Sequence, residues 1–207
     1  MYKKINQCRI SGSKNLQPII NLGDQYLTGV FPKSKGQKIG KAPLELVWCE
    51  DSELAQLKHT YSLNEMYGEN YGYRSGLNQS MVRHLNEKIN FLENLVSLKD
   101  DDLVIDIGSN DSTTLRSYVS NKIKKVGIDP TGEKFKEFYP DDVHLISSFF
   151  PTDKLFEIFP NKRAKIITSI SMFYDLEDPV KFAKEVNECL EDDGIWFLEH
   201  WQDPRTP

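Results

Sequence analysis

Cysteine is scarce in this chain, and long apolar runs are missing. Cysteines at positions 8, 49 and 189 are too few for a disulfide framework and predict a reducing, cytoplasmic setting. No apolar stretch approaches the ~18 residues a membrane helix needs, so no membrane partner is expected. The N-terminal run Met1-Tyr2-Lys3-Lys4-Ile5-Asn6 lacks the apolar core of a secretory signal. Net charge is −5, and no basic stripe interleaved with aromatics appears, which argues against nucleic acid as a partner. No internal repeat or low-complexity tract is visible.

What remains is a 207-residue globular composition, 39% apolar and 28% charged, long enough for one large domain or one domain with a small appendage. Charge is unevenly spread. Residues 1–60 carry 9 Lys/Arg against 5 Asp/Glu, whereas 61–207 carry 17 against 26. The shift marks a composition boundary near residue 60.

The chain is organised around Leu103-Val104-Ile105-Asp106-Ile107-Gly108-Ser109-Asn110-Asp111-Ser112. Apolar residues running into a glycine predict a buried parallel strand that ends in a tight turn. Thr113 to Ser120 then predicts a helix, with Ser112 or Thr113 as its N-cap. Val126-Gly127-Ile128-Asp129 predicts the next strand, and Asp129 is placed to hydrogen-bond a ribose hydroxyl. A pyrophosphate wants three spaced glycines. Here one glycine is bracketed by Asp106 and Asp111, a charge that repels a diphosphate and suits a ligand carrying a sulfonium and an ammonium. S-adenosyl-L-methionine is the common ligand of that kind. An α/β turn with no ligand is the plain alternative.

Around this centre, residues 1–60 form a β-rich module with strands near 19–22 and 44–48. So small a module has little core of its own. Cys8-x-x-Ser11 and Cys49-x-x-Ser52 are spaced like the two knuckles of a zinc ribbon with one thiolate missing from each. Zinc wants four N or S ligands. A structural zinc is therefore doubtful, no metal ligands are assigned, and a degenerate ribbon packing without metal is the alternative. His59 is a further donor type that nothing in the sequence brings near.

Residues 61–99 hold a tyrosine-rich loop and a connecting helix. Tyr71, Tyr73, Arg74 and Ser75 either bind a polar, phosphorylated substrate or pack as a linker on the next domain. Leu77, Met81, Leu85, Ile89, Leu92 and Val96 recur at helical spacing over 77–97. His84 on this helix is expected at the surface. From 100 onward, strands are predicted at 103–107, 125–129, 143–146, 165–169 and 195–199. Short helices are predicted at 133–139 and 151–159, and a longer one from Pro179, capped by Asp178, to about Leu190. Ser148 and Phe149 follow the third of these strands, where an aromatic face covers an adenine. Cys189 reads as a buried structural thiol.

Several motifs together resemble the class I S-adenosylmethionine-dependent methyltransferases, and among them the sugar C-methyltransferases acting on nucleotide-linked deoxyhexoses. They are Cys8-Arg9 with Gly12, Asn21-Leu22-Gly23-Asp24-Gln25, Pro43-Leu44-Glu45-Leu46-Val47 up to Cys49, Leu54-Ala55-Gln56-Leu57, Tyr71-Gly72-Tyr73-Arg74-Ser75 and Asp106-Ile107-Gly108-Ser109-Asn110-Asp111. The resemblance implies an α/β fold: a Rossmann-like parallel sheet with helices on both faces, preceded by a small zinc-ribbon-like module and a connecting helix. It implies that Gly108, Ser109 and Asn110 face the methionine part of the cofactor and that Asp129 holds the ribose. Ser148, Phe149, Ser169 and Ser171 would line the adenine and the methyl-transfer region.

Three departures accompany it: Ser11 and Ser52 stand at zinc-cysteine positions, Ser112 replaces a loop glycine, and the family's proton-abstracting segment would lie after Pro207. His200 and Glu199 follow the fifth strand and could be pressed into service, His200 as the base; a histidine that simply ends a strand is the alternative. The expected function is a C-methyltransferase acting on a nucleotide-linked deoxysugar, or its cofactor-binding N-terminal half. A non-catalytic module that binds cofactor or sugar nucleotide beside a partner chain is the second reading, and a nicotinamide oxidoreductase the third. Five strands where the family has seven predict an open sheet edge, and with it a homodimer or a longer chain.

Overall fold

In the computed structural model, residues 2–27, 31–68 and 71–199 are described. The chain forms two compact units, 1–73 with 177–181 and 74–176 with 182–207.

The first unit is built on antiparallel pairing. Strand β1 (Tyr2–Lys4) pairs with β5 (His59–Tyr61), and β2 (Leu16–Tyr26), β3 (Lys41–Cys49) and β4 (Leu54–Leu57) form a three-stranded sheet in that order. Both expected strands are present but run longer. Gly23, at φ +68, takes the left-handed step at an irregularity in β2, and its N–H donates to Oδ1 of Asn21. Arg9 ties the N-terminal loop to the sheet. Its N–H donates to Oε1 of Gln56, and its guanidinium donates to Leu57 O (2.7 Å) and Thr60 Oγ1 (3.0 Å). A single-turn helix, α1 (Leu63–Met66), follows.

The second unit opens with α2 (Gln79–Leu95), whose N-cap Asn78 accepts from the Ser80 N–H. Its apolar stripe buries Leu85, Ile89 and Leu92, while Leu77, just ahead of it, is left exposed. Strands β6 (Leu103–Ile107), β7 (Lys124–Ile128), β8 (Val143–Ile146), β9 (Ala164–Ile170) and β10 (Leu190–Glu199) form one parallel sheet in the order β10-β9-β6-β7-β8. Alternation sorts β6 between two cores. Leu103, Ile105 and Ile107 pack with Leu155 of α3 (Asp153–Ile158) and with Phe182, Val186 and Cys189 of α4 (Pro179–Cys189). Val104 packs on the other face with Ile89, Leu92 and Leu115. Burying one such Ile or Leu is worth about 1.5–3 kcal/mol. This is a Rossmann-like sheet with helices on both faces. Among the described residues, no helix is long and apolar enough to cross a membrane.

Two local expectations need correction. The helix expected over 113–120 is only a 3-10 turn, Leu115–Ser117. The Ser/Thr-rich run satisfies its backbone with side chains instead: Ser117 Oγ donates to Thr113 O, and Thr113 Oγ1 to Asp111. The segment 133–139 is likewise 3-10, Gly132–Phe138. By contrast, Asp178 does cap α4, accepting from the Lys181 N–H at 2.9 Å.

Candidate functional site

Strand β6 is followed in the sheet by β7 on one side and β9 on the other, so the chain reverses direction of travel between β6 and β9. Open α/β sheets bind ligands at the carboxyl ends of the strands beside such a switch point. The loop after β6 lies there. Gly108, at φ +79, turns the chain at the strand end, and a Cβ on it would come within 3.5 Å of the Met172 side chain in the loop after β9. Its N–H donates to Ile128 O at 2.8 Å.

Beyond Gly108 the loop is fixed residue by residue. The Asn110 N–H donates to Asp129 Oδ2 at 2.8 Å, while the N–H and Oγ1 of Thr131 donate to Oδ1 at 2.6 and 2.5 Å. Asp129 therefore joins the loop after β6 to the end of β7. The Tyr139 hydroxyl lies 2.8 Å from Ser109 Oγ and donates to Asn110 O at 2.9 Å. Gly127 in β7 makes room for both, since a Cβ there would lie 2.6 Å from Ser109 Oγ and 3.0 Å from the Tyr139 ring. Burial pushes the Tyr139 phenol well above its usual value. Asn110 and Ser112 both occupy the left-handed region, at φ +48 and +64, a conformation these anchors hold in place.

The two acids that bracket Gly108 are both buried. Asp111 is fully buried, accepts from the Gly76 N–H at 3.0 Å and from Thr113 Oγ1 at 2.5 Å, and lies 3.9 Å from both the Arg74 and Arg116 guanidinium groups. Its charge is balanced inside the protein by those two guanidinium groups. Asp106 is also buried and accepts from Thr168 Oγ1 at 2.6 Å. Burial pushes its carboxyl up to about 7, against the pull of Thr168 and Thr114.

Arg74 and Ser75 meet this loop. The Ser75 N–H donates to Asn110 Oδ1 at 2.9 Å, and the Arg74 guanidinium stacks 4.0 Å over the Phe138 ring. Tyr71 and Tyr73 belong to the first unit, where the Tyr71 ring is 5.2 Å from that of Tyr67 and Tyr73 is exposed. Ser148 and exposed Phe149 follow β8. Ser169 is buried and accepts from Trp196 Nε1 at 2.8 Å, within an aromatic cluster that includes Phe173 and Phe182. Ser171 is exposed at φ +57, and its N–H donates to Glu199 O. Glu199 itself pairs with His84 at 2.6 Å and Lys88 at 3.4 Å. His200 lies outside the described residues. Tyr139, Thr131, Thr168 and Gly76 carry no motif that singles them out. Only the glycine following Arg74-Ser75 hints at a close backbone approach.

In the first unit, the two Cys-x-x-Ser turns converge. Cys8 Sγ is 3.1 Å from Ser52 Oγ, and Ser11 Oγ is 3.6 Å from Cys49 Sγ. His59 lies elsewhere, edge-on to the Tyr2 ring at 5.4 Å.

Residues 8–67 match a family model described as "Putative zinc binding domain". The C-methyltransferase NovU of Streptomyces niveus is 24% identical over 200 residues, an alignment covering 95% of this chain and 47% of that protein. This chain is thus similar along nearly its whole length to a C-methyltransferase. It spans about half the length of that curated relative. Among solved structures, the plantazolicin methyltransferase BpumL, in complex with a pentazolic desmethylPZN analog and SAH, is similar at TM-score 0.47 and 15% identity, over 60% of this chain and 49% of that one. Precorrin-6y C5,15-methyltransferase from Geobacter metallireducens GS-15 is similar at TM-score 0.42 and 17% identity, over 58% and 62%.

The donors at the matched module do not suit zinc. Structural zinc takes four N or S ligands, and here two of the four positions are neutral hydroxyls. Among the described residues, no three His, Cys, Asp or Glu side chains gather where they could hold a metal ion.

Proposed function

We propose that this chain binds S-adenosylmethionine and belongs to a C-methyltransferase that acts on a nucleotide-linked deoxysugar. The observation that carries the reading is Asp129. A carboxylate offers about four acceptor positions, and three are used by the Asn110 N–H and the two Thr131 donors. The position left on Oδ2 lies at the end of β7, where a ribose hydroxyl would donate to it. Gly108, Ser109 and Asn110 line the approach to the methionine part, with Asp106 beneath them on β6. Ser148 and Phe149 would flank the adenine, and Ser169 and Ser171 belong to the strand end that faces the transferred methyl group.

The cofactor, when bound, supplies an electrophilic methyl group. Carbon methylation beside a carbonyl also needs a base to remove the α-proton and donors to steady the resulting oxyanion. Tyr71 and Tyr73 are the proposed substrate contacts. Arg74 and Ser75 act first on the cofactor loop, through Asp111 and Asn110. His200 is the proposed base within this chain. A cytoplasmic setting belongs to the same reading, supported by three cysteines that all remain free thiols.

Calorimetry with S-adenosylhomocysteine and with NAD tests cofactor choice; equal or tighter NAD binding overturns it. Exchange of the sugar's α-proton into labelled water tests the chemistry. Rapid exchange that is lost in His200→Ala supports the base. Cofactor binding without exchange supports the second reading, a binding module that works beside a partner chain.

A further inference from the structure

We propose that the N-terminal module closes its two Cys-x-x-Ser turns with a pair of crossed thiol–hydroxyl contacts in place of a metal ion. Each sulfur of one turn meets the hydroxyl of the other: Cys8 with Ser52, and Cys49 with Ser11. Both cysteines are buried, at 2% and 0% exposure, while Ser52 is half-buried and Ser11 exposed. The contacts join residues 44 and 38 positions apart, which is the long-range closure a metal provides in a ribbon.

Backbone donors add to these contacts. The Ile10 and Ser11 N–H groups also point at Cys8 Sγ, at 3.4 and 3.5 Å. Cys8 is thus held as an acceptor with its donors already in place. A serine hydroxyl keeps its proton at neutral pH, so it completes such a pair by donating, where zinc would ask it to act as a weak neutral ligand. The remainder of the closure comes from Arg9 bridging to Leu57 and Thr60, which needs no metal.

The test uses the full chain, purified from zinc-supplemented culture, and does not depend on the proposed activity. Elemental analysis is expected to find well under one zinc per chain, and excess chelator is expected to leave the thermal midpoint unchanged. The Ser11→Cys/Ser52→Cys double variant completes a four-thiolate set. It is expected to take up one zinc per chain and to lose thermal stability when chelated. Ser52→Ala is expected to lower the midpoint without altering metal content. Stoichiometric zinc in the wild-type chain overturns the proposal. So does a folded double variant that ignores zinc, or a Ser52→Ala chain as stable as the parent. Should the double variant fail to fold, wild-type metal content and Ser52→Ala still decide.

Discussion

The backbone N–H of Gly76 donates to Asp111 Oδ2 at 3.0 Å, and a Cβ at position 76 would stand only 2.5 Å from that same oxygen. The carboxylate cannot move aside, because it is fully buried and held by Thr113. Gly76→Ala must therefore push the 74–77 segment off the loop. Overpacking of this kind costs about 1–3 kcal/mol. We expect a matching drop in the thermal midpoint and a loss in S-adenosylhomocysteine affinity of roughly tenfold, the equivalent of 1.4 kcal/mol. An alanine variant with parental affinity by calorimetry would show that this contact does not govern the loop.

Asp129 carries a different load. Asp129→Ala removes the acceptor for the Asn110 and Thr131 N–H groups, both in a buried setting. Leaving such donors unpaired costs roughly 1–3 kcal/mol. On the proposed reading the ribose loses its acceptor as well, so affinity for S-adenosylhomocysteine should fall by more than stability does. Adenine alone, which has no ribose, should bind both proteins about equally. Equal losses for the two ligands would remove Asp129 from the cofactor site.

Asp106 predicts a pH dependence. An aspartate in the unfolded chain titrates near about 3.9, whereas burial holds this one at about 7 in the fold. Between those values the folded chain keeps a proton that the unfolded chain has released. On this group's account, stability falls as pH rises from about 4 to 7 and then levels off. Asp106→Asn stays neutral throughout and keeps a partner for Thr168. Its thermal midpoint should exceed that of the parent more at pH 8 than at pH 5. A constant difference across that range would mean that Asp106 is ionised in the fold at acid pH.

The sheet was legible in the residues because burial on both faces writes continuous apolar runs. The strand expected at 103–107 is Leu103–Ile107, and that at 143–146 is Val143–Ile146. The segment after Gly108 was not. Its Ser/Thr-rich composition fits a helix cap as well as a loop closed by side chains, and only the tertiary anchors at Gly76, Asp129 and Tyr139 decide between them. Charge was legible as sequence but not as field. Asp106 and Asp111 bracket the glycine as expected, yet Arg74 and Arg116 balance one and burial lifts the other toward neutrality. The Arg116 partner is five residues from Asp111, but Arg74 is far away in the sequence, and no local pattern announces it.

Tyr139 gives the most direct test of how the loop is held. Its hydroxyl is the shared point between Ser109 Oγ and Asn110 O, and Asn110 sits at φ +48, a left-handed conformation that asparagine adopts more readily than most residues and that these bonds reinforce. Tyr139→Phe removes one oxygen and leaves the ring packed beside Gly127. The Asn110 carbonyl and the Ser109 hydroxyl then each lose a partner, at a cost of about 1–3 kcal/mol if water does not replace it. Because the ring stays, the sheet should keep its packing, and the loss should appear as mobility of 108–112. Amide hydrogen exchange should rise in that loop and not in β6 or β7. On the proposed reading, KM for the cofactor should rise several-fold with kcat little changed, since the oxygen acts on the loop through Ser109 and the Asn110 carbonyl. Unchanged exchange at 108–112 would mean that Asp129 and the 74–76 segment hold the loop without Tyr139.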